Sequence, residues 1–187
     1  LRDFPVMPET RWGHVADFFA GAHQSARSAT LPVWQGEIYL ELHRATLTTQ
    51  SVIKRMHRQA ERALITAETV ASLAHLVGAA APRSLEPEWR FVLKNEFHDI
   101  LPGSSIKEVY DLAAEELGAV IATGKTVQAK ALETIAGRLP VGSGDGLLVV
   151  NPSLAPRRLA VTLPDGEVLA GDQTVPPLGI AVVDRAV

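Results

Sequence analysis

Asn95-Glu96-Phe97-His98-Asp99-Ile100-Leu101-Pro102-Gly103-Ser104 sets a potential metal ligand beside a carboxylate where a helix stops abruptly. Upstream, Trp89, Leu93 and Phe97 recur every four positions. The spacing predicts an amphipathic helix from about Glu86, with His98 and Asp99 in its last turn. Pro102-Gly103 ends it, because proline has no amide hydrogen to donate and glycine accepts the turn that follows. Ser105 and Glu108 stand at capping-box spacing before the next apolar-periodic run, which places the His-Asp pair at a helix-to-helix corner.

Imidazole is a borderline-soft ligand suited to zinc, a neighbouring carboxylate can bind metal or a sugar hydroxyl, and the negative end of a helix dipole favours a cation. A catalytic zinc needs about three protein ligands. The six histidines, His14, His23, His43, His57, His75 and His98, include no His-x-Asp and no His-Glu-x-x-His pair, and the chain has no cysteine. No complete zinc site is therefore visible in the sequence.

Working outward, Arg11 to Ala26 reads as a helix with Thr10 as N-cap and Val15, Phe18, Phe19 and Ala22 on a face that should cover part of a core. Leu31 to His43 reads as extended chain, and a strand there would separate Ile38, Leu40 and Leu42 from Glu37, Tyr39, Glu41 and His43. From about Thr48 to Val77 the spacing predicts a helix of roughly 45 Å, with Val52, Ile53, Met56, Ala60, Ala63, Leu64, Ala67, Val70 and Ala71 as its stripe. Gly78 ends it. Its basic cluster, Lys54, Arg55, Arg58 and Arg62, is diluted by Glu61 and Glu68 and reads as a solvated face.

A further helix from Ile106 to Ala136 carries Val109, Tyr110, Ala113, Leu117, Val120, Ile121 and Val127, and completes an expected three-helix bundle. Gly142 to Gly146 lacks the spacing of a phosphate loop and reads as a linker. Leu147 to Val150, Leu159 to Leu163 and Gly179 to Val183 then read as short strands parted by proline and glycine turns. Short strands leave open edges, so this tail should pack on the helices, pair with a second copy into a homo-oligomer, or stay mobile. The expected fold class is α+β: a short helix and a strand, then three helices, then a few strands.

The chain has 187 residues, of which 47% are hydrophobic, enough for one or two domains with a core. A net charge of -3 gives no basis for nucleic-acid binding. No signal peptide or membrane-length apolar run is visible. The absence of cysteine fits a reducing compartment. Leu1 in place of an initiator methionine suits a segment excised from something larger.

Three blocks, Leu31 to Thr49, Asn95 to Ser105 and Leu147 to Pro152, together resemble the family 38 glycoside hydrolases, the zinc-dependent alpha-mannosidases, and most closely their cytosolic and bacterial branch. The likeness runs in order from about Leu31 to Val183 and matches the middle of such an enzyme. It implies three parts: 1–46 as the end of a catalytic α/β domain, 47–140 as the helical middle domain, and 141–187 as a linker and the start of a β-sandwich region. It implies a cytoplasmic enzyme acting on mannoside or oligomannose substrates, neither nucleic-acid-binding nor membrane-bound. By the same resemblance His98 would supply one zinc ligand and Asp99 a contact to metal or sugar. Glu41, His43 and Arg44 would line or brace the sugar site. The catalytic carboxylates and the His-x-Asp zinc pair belong to family elements absent here, so no catalytic residue is expected in this chain and it should be inactive alone. The family more often has glycine at the position of Ala45. A helical protein-interaction module without chemistry is the competing expectation.

Overall fold

The computed structural model describes residues 10–25, 27–38, 41–139, 146–163 and 166–184, with the side chains of Ser28, Glu41, Leu42 and Asp184 outside that description. The chain is α+β and divides into two compact units, with the division between Leu42 and His43.

In the first unit, helix α1 runs Val15–Gln24. It starts later than the sequence suggested: His14, not Thr10, precedes it, and no side chain caps it. Its apolar face covers no core among the described residues, since Val15, Phe18 and Phe19 are 72%, 71% and 56% exposed. The expected strand over Leu31 to His43 is also corrected. Residues 31–38 are irregular and exposed, with a turn closed by the Trp34 indole donating to the Glu37 carbonyl at 3.1 Å. Tyr39 and Leu40 lie outside the described residues, and Glu41–Leu47 forms 3-10 turns with a kink at His43. Alternation alone does not make a strand. Without a ladder partner the backbone satisfies its own amides locally, as the Thr48 and Thr49 amides do on the Ala45 carbonyl.

The second unit is organised by three helices in mutual contact: α2 (Ser51–Leu76), α3 (Glu86–Asn95) and α4 (Lys107–Ala136). The first buries Ile53, His57, Ala60, Leu64, Ala67, Val70 and Ala74, the one-face spacing expected of it, and the left-handed Gly78 (φ 96°) follows its end. Val52, assigned to the stripe from sequence, is 51% exposed. The third buries Tyr110, Ala113, Leu117, Val120, Gly124, Ala131 and Ile135. At Gly124 the backbones of α2 and α4 close up, for a Cβ there would sit 2.9 Å from that of Ala63 and 3.1 Å from its carbonyl oxygen.

Between them α3 presents a different face from the one read off Trp89, Leu93 and Phe97. Leu85, Val92 and Asn95 are buried, Trp89 is partly buried against the same cluster, and Leu93 and Phe97 are 59% and 57% exposed. Two steps of four residues drift by about 80° around a helix, so that triplet cannot stay centred on one contact. The start of α3 is held by Arg83, whose guanidinium bonds the Glu88 carboxylate at 2.7 Å and keeps that carboxyl below the usual range. The Trp89 indole donates to Glu68 of α2 at 3.0 Å.

The tail forms two antiparallel pairs: β1 (Gly146–Val150) with β4 (Ile180–Asp184), and β2 (Arg157–Thr162) with β3 (Val168–Val175). Gly146 pairs with Asp184 and Thr162 with Val168. The linker read at Gly142 to Gly146 lies outside the described residues except for Gly146, which opens β1. Leu148, Val150 and Ile180 pack against Val70, Ala74, Ala131 and Ile135, so of the three fates open to the tail it takes the first and sits on the helices. Asn151, read as a turn residue, is buried. Its amide donates to the Val175 and Pro176 carbonyls and its oxygen accepts from the Ser153 amide and hydroxyl, which fastens the end of β1 to the end of β3.

Candidate functional site

The corner between α3 and α4 is held largely by bonds to its backbone, which leaves the His98 and Asp99 side chains exposed. After Asn95 the hydrogen-bond pattern tightens: the Glu96 and Phe97 amides bond carbonyls three residues back, and Ile100 and Leu101 turn onto the Phe97 carbonyl. His98 and Asp99 therefore lie in the turns beyond α3 and not in its last helical turn. Pro102 keeps the helix from resuming, since it lacks an amide hydrogen and its ring clashes with the carbonyl four residues back; the end at Asn95 lies beyond its reach. Gly103 (φ 97°) then sits so close to the turn before α2 that a Cβ would meet Thr49 Cγ2 at 2.3 Å.

Lys54, read from sequence as part of a solvated basic face, is a structural clamp here. Its ammonium donates to the Thr49 carbonyl at 2.6 Å and the Leu101 carbonyl at 2.8 Å, joining the start of α2 to the corner. Burial lowers its pKa. The capping box expected from Ser105 and Glu108 does not form: Ile106 precedes α4 with no side-chain cap. The Ser105 hydroxyl instead donates to the Asp99 carbonyl at 2.6 Å, while its amide donates to the buried Tyr110 hydroxyl at 2.8 Å.

On this frame the His98 and Asp99 side chains are 77% and 56% exposed, with Nε2 3.3 Å from Oδ2. The Phe97 ring lies 4.3 Å from the imidazole. The Ser104 hydroxyl donates to the other Asp99 oxygen at 3.1 Å, fixing the carboxylate's direction. An imidazole and an oriented carboxylate facing solvent can hold a cation or grip a hydroxyl, and cannot alone supply both the nucleophile and the acid of a hydrolysis.

Of the remaining sequence candidates, His43 is not drawn into this pair. His43 and Arg44 are exposed within Glu41–Leu47, and His43 has no hydrogen bond or ion pair to His98 or Asp99 among the described residues. The Glu41 side chain lies outside the description. A cleft of about 690 Å³ between α2, α4 and the loop at 79–83 offers Arg83, Lys130 and Arg138 among alanines and threonines, without imidazole or carboxylate, and lies away from the pair. Sequence reasoning missed His57. It is buried on α2, with Glu61 and Glu96 close by, the one trio of His, Asp or Glu near enough to share a cation among the described residues. The available signal was position: His57 falls four after Ile53 and three before Ala60, inside the apolar stripe.

Fold and corner together define a helical scaffold that presents an oriented imidazole-carboxylate pair to a surface. Residues 41–135 match the model of the alpha mannosidase middle domain, and the chain belongs to that family. It is 34% identical over 161 residues to alpha-mannosidase 2C1 of Homo sapiens, covering 83% of this chain and 15% of that protein. It is 33% identical to alpha-mannosidase G of Dictyostelium discoideum, over 74% of this chain and 13% of that one. The alpha-mannosidase of Saccharomyces cerevisiae matches at 32% identity over 60% of this chain and 11% of its own length. The chain thus spans 15% or less of the curated relatives it matches.

Proposed function

We propose that this chain is the middle part of a metal-dependent, retaining alpha-mannosidase that hydrolyses terminal alpha-mannosides, and that His98 supplies one ligand of its zinc while Asp99 contacts metal or sugar. The observation carrying this reading is the exposed pair on a clamped corner, where the Ser104 hydroxyl orients Asp99 and the Phe97 ring backs His98. The donor chemistry suits zinc as a partial set: one imidazole and one carboxylate, with the other ligands supplied by polypeptide outside the described residues. When bound, the metal would hold sugar hydroxyls and draw off charge. The nucleophile and the acid-base carboxyl of a retaining hydrolysis belong to other parts of the protein, so the work of this chain is to hold and orient.

Exposed apolar surface at the corner, with Leu93 at 59%, Phe97 at 57% and Ile106 at 67%, supports a catalytic domain that covers it in the longer protein. In that arrangement 1–46 is the end of the catalytic domain, 47–140 the three-helix middle domain and 141–187 the start of the β region. Glu41, His43 and Arg44 then brace the sugar site from the catalytic side, with oligomannose as substrate and the cytoplasm as compartment. Among the described residues no helix is long and apolar enough to cross a membrane.

The test is metal content in the longer enzyme containing this chain. His98→Ala should lower zinc stoichiometry, because a lost ligand weakens affinity and misorients the ion. Unchanged stoichiometry would remove His98 from the site. The 187-residue chain by itself should release no nitrophenol from an aryl alpha-mannoside, and release scaling with its concentration would refute the division of labour.

A further inference from the structure

We propose that His57, Glu61 and Glu96 form a divalent-cation site of the zinc class where α2 meets the end of α3, separate from the His98 corner. His57 occupies an apolar stripe and its side chain is 9% exposed, yet its buried Nε2 has no hydrogen-bond partner. Glu96 Oε1 lies only 3.2 Å from that nitrogen. Both facts hold if the carboxylate oxygen stands beside the ring nitrogen but off the line of its N–H or lone pair. Nearness without alignment is what two ligands of one ion show: zinc bonds of 2.0–2.1 Å at tetrahedral angles set neighbouring ligand atoms about 3.3 Å apart.

Glu61 supplies the third donor one turn along α2. Ligand atoms of all three residues lie within 4.8 Å of one another. The Glu61 carboxylate now stands on the Nδ1 side of the ring, 3.9 Å from that nitrogen, and a side-chain rotation brings it to an ion on Nε2. Glu96 caps the C-terminal end of α3, where the helix dipole adds negative potential. One imidazole and two carboxylates, with no thiol, suit zinc or its first-row neighbours and leave a coordination position for water. Arg58 also holds Glu61, at 2.9 Å, but its side chain is 62% exposed, and such a surface pair yields readily to a cation. Without an ion, the buried Nε2 has no hydrogen-bond partner, and an unmet buried polar atom is costly.

The experiment is a calorimetric zinc titration of the 187-residue chain after chelator treatment, with cobalt substitution read by visible absorption. One equivalent should bind with a dissociation constant below about 10 µM, and cobalt should give tetrahedral d-d bands. Glu96→Gln should weaken binding at least tenfold and His57→Ala abolish it, while His98→Ala leaves it unchanged. His57→Ala could unfold the helices, so Glu96→Gln, isosteric and at a 41% exposed side chain, carries the decision. Absence of stoichiometric binding, or binding indifferent to Glu96→Gln, or loss only on His98→Ala, would overturn the site. His57 would then be a plain polar clamp between α2 and α3.

Discussion

The seam between α2 and α4 and the corner between α3 and α4 are held by opposite means. In the seam Ala60, Leu64, Ala67 and Leu117 are wholly buried, and Gly124 lets the two backbones approach. At the corner His98 is 77% exposed, and order comes from the Lys54 ammonium, the Tyr110 hydroxyl and two serines gripping main-chain atoms or Asp99. Apolar burial fixes where the helices lie, while polar clamps fix the path between them. A corner built this way can present side chains without asking them to stabilise the fold.

The sharpest break of this contrast is Leu117→Ala, which empties the seam and should cost about 2–5 kcal/mol in denaturant unfolding. A loss under about 1 kcal/mol would mean that the seam is not the main support. Lys54→Met keeps the side-chain length but leaves the Thr49 and Leu101 carbonyls without their charged donor. It should cost about 1.5–3 kcal/mol and speed amide exchange at Gly103. Stability and exchange both unchanged would return Lys54 to a solvated surface role. Smaller still, Tyr110→Phe keeps the ring in the core and removes one hydroxyl from the Ser105 amide. It should cost about 1 kcal/mol, with exchange at Ser105 rising while α2 amides stay protected. If α2 loosens equally, corner and seam are one cooperative element.

What the sequence disclosed follows the same division. The stripes of α2 and α4 were legible because burial along them repeats at helical spacing over 26 and 30 residues. The 10-residue α3 was too short for spacing to choose between two overlapping faces, and Val92 won over Leu93. The β3 strand escaped notice because Gly171-Asp172-Gln173 interrupts its apolar pattern, and its pairing with β2 is a long-range fact. The alternation read from Glu37 to His43 failed in the other direction, since residues 31–38 are irregular and Glu41–Leu47 coils on itself. At the corner the sequence disclosed His98, Asp99 and the Pro102-Gly103 stop. The Lys54 clamp, 47 residues from Leu101 in the chain, could not be read from local pattern. His57 was hidden by chemistry, since an imidazole inside an alanine-rich stripe counts as polar until its burial is known.

The central claim, that the corner serves the reaction and the seam serves the fold, is tested most directly by one variant in two assays. In the longer enzyme containing this chain, His98→Ala should leave the melting temperature of the apo form within about 1 °C of the parent. Turnover of an aryl alpha-mannoside should fall at least about a hundredfold. Normal turnover would contradict the assignment of His98, and a large drop in melting temperature would show that this exposed imidazole supports the fold after all.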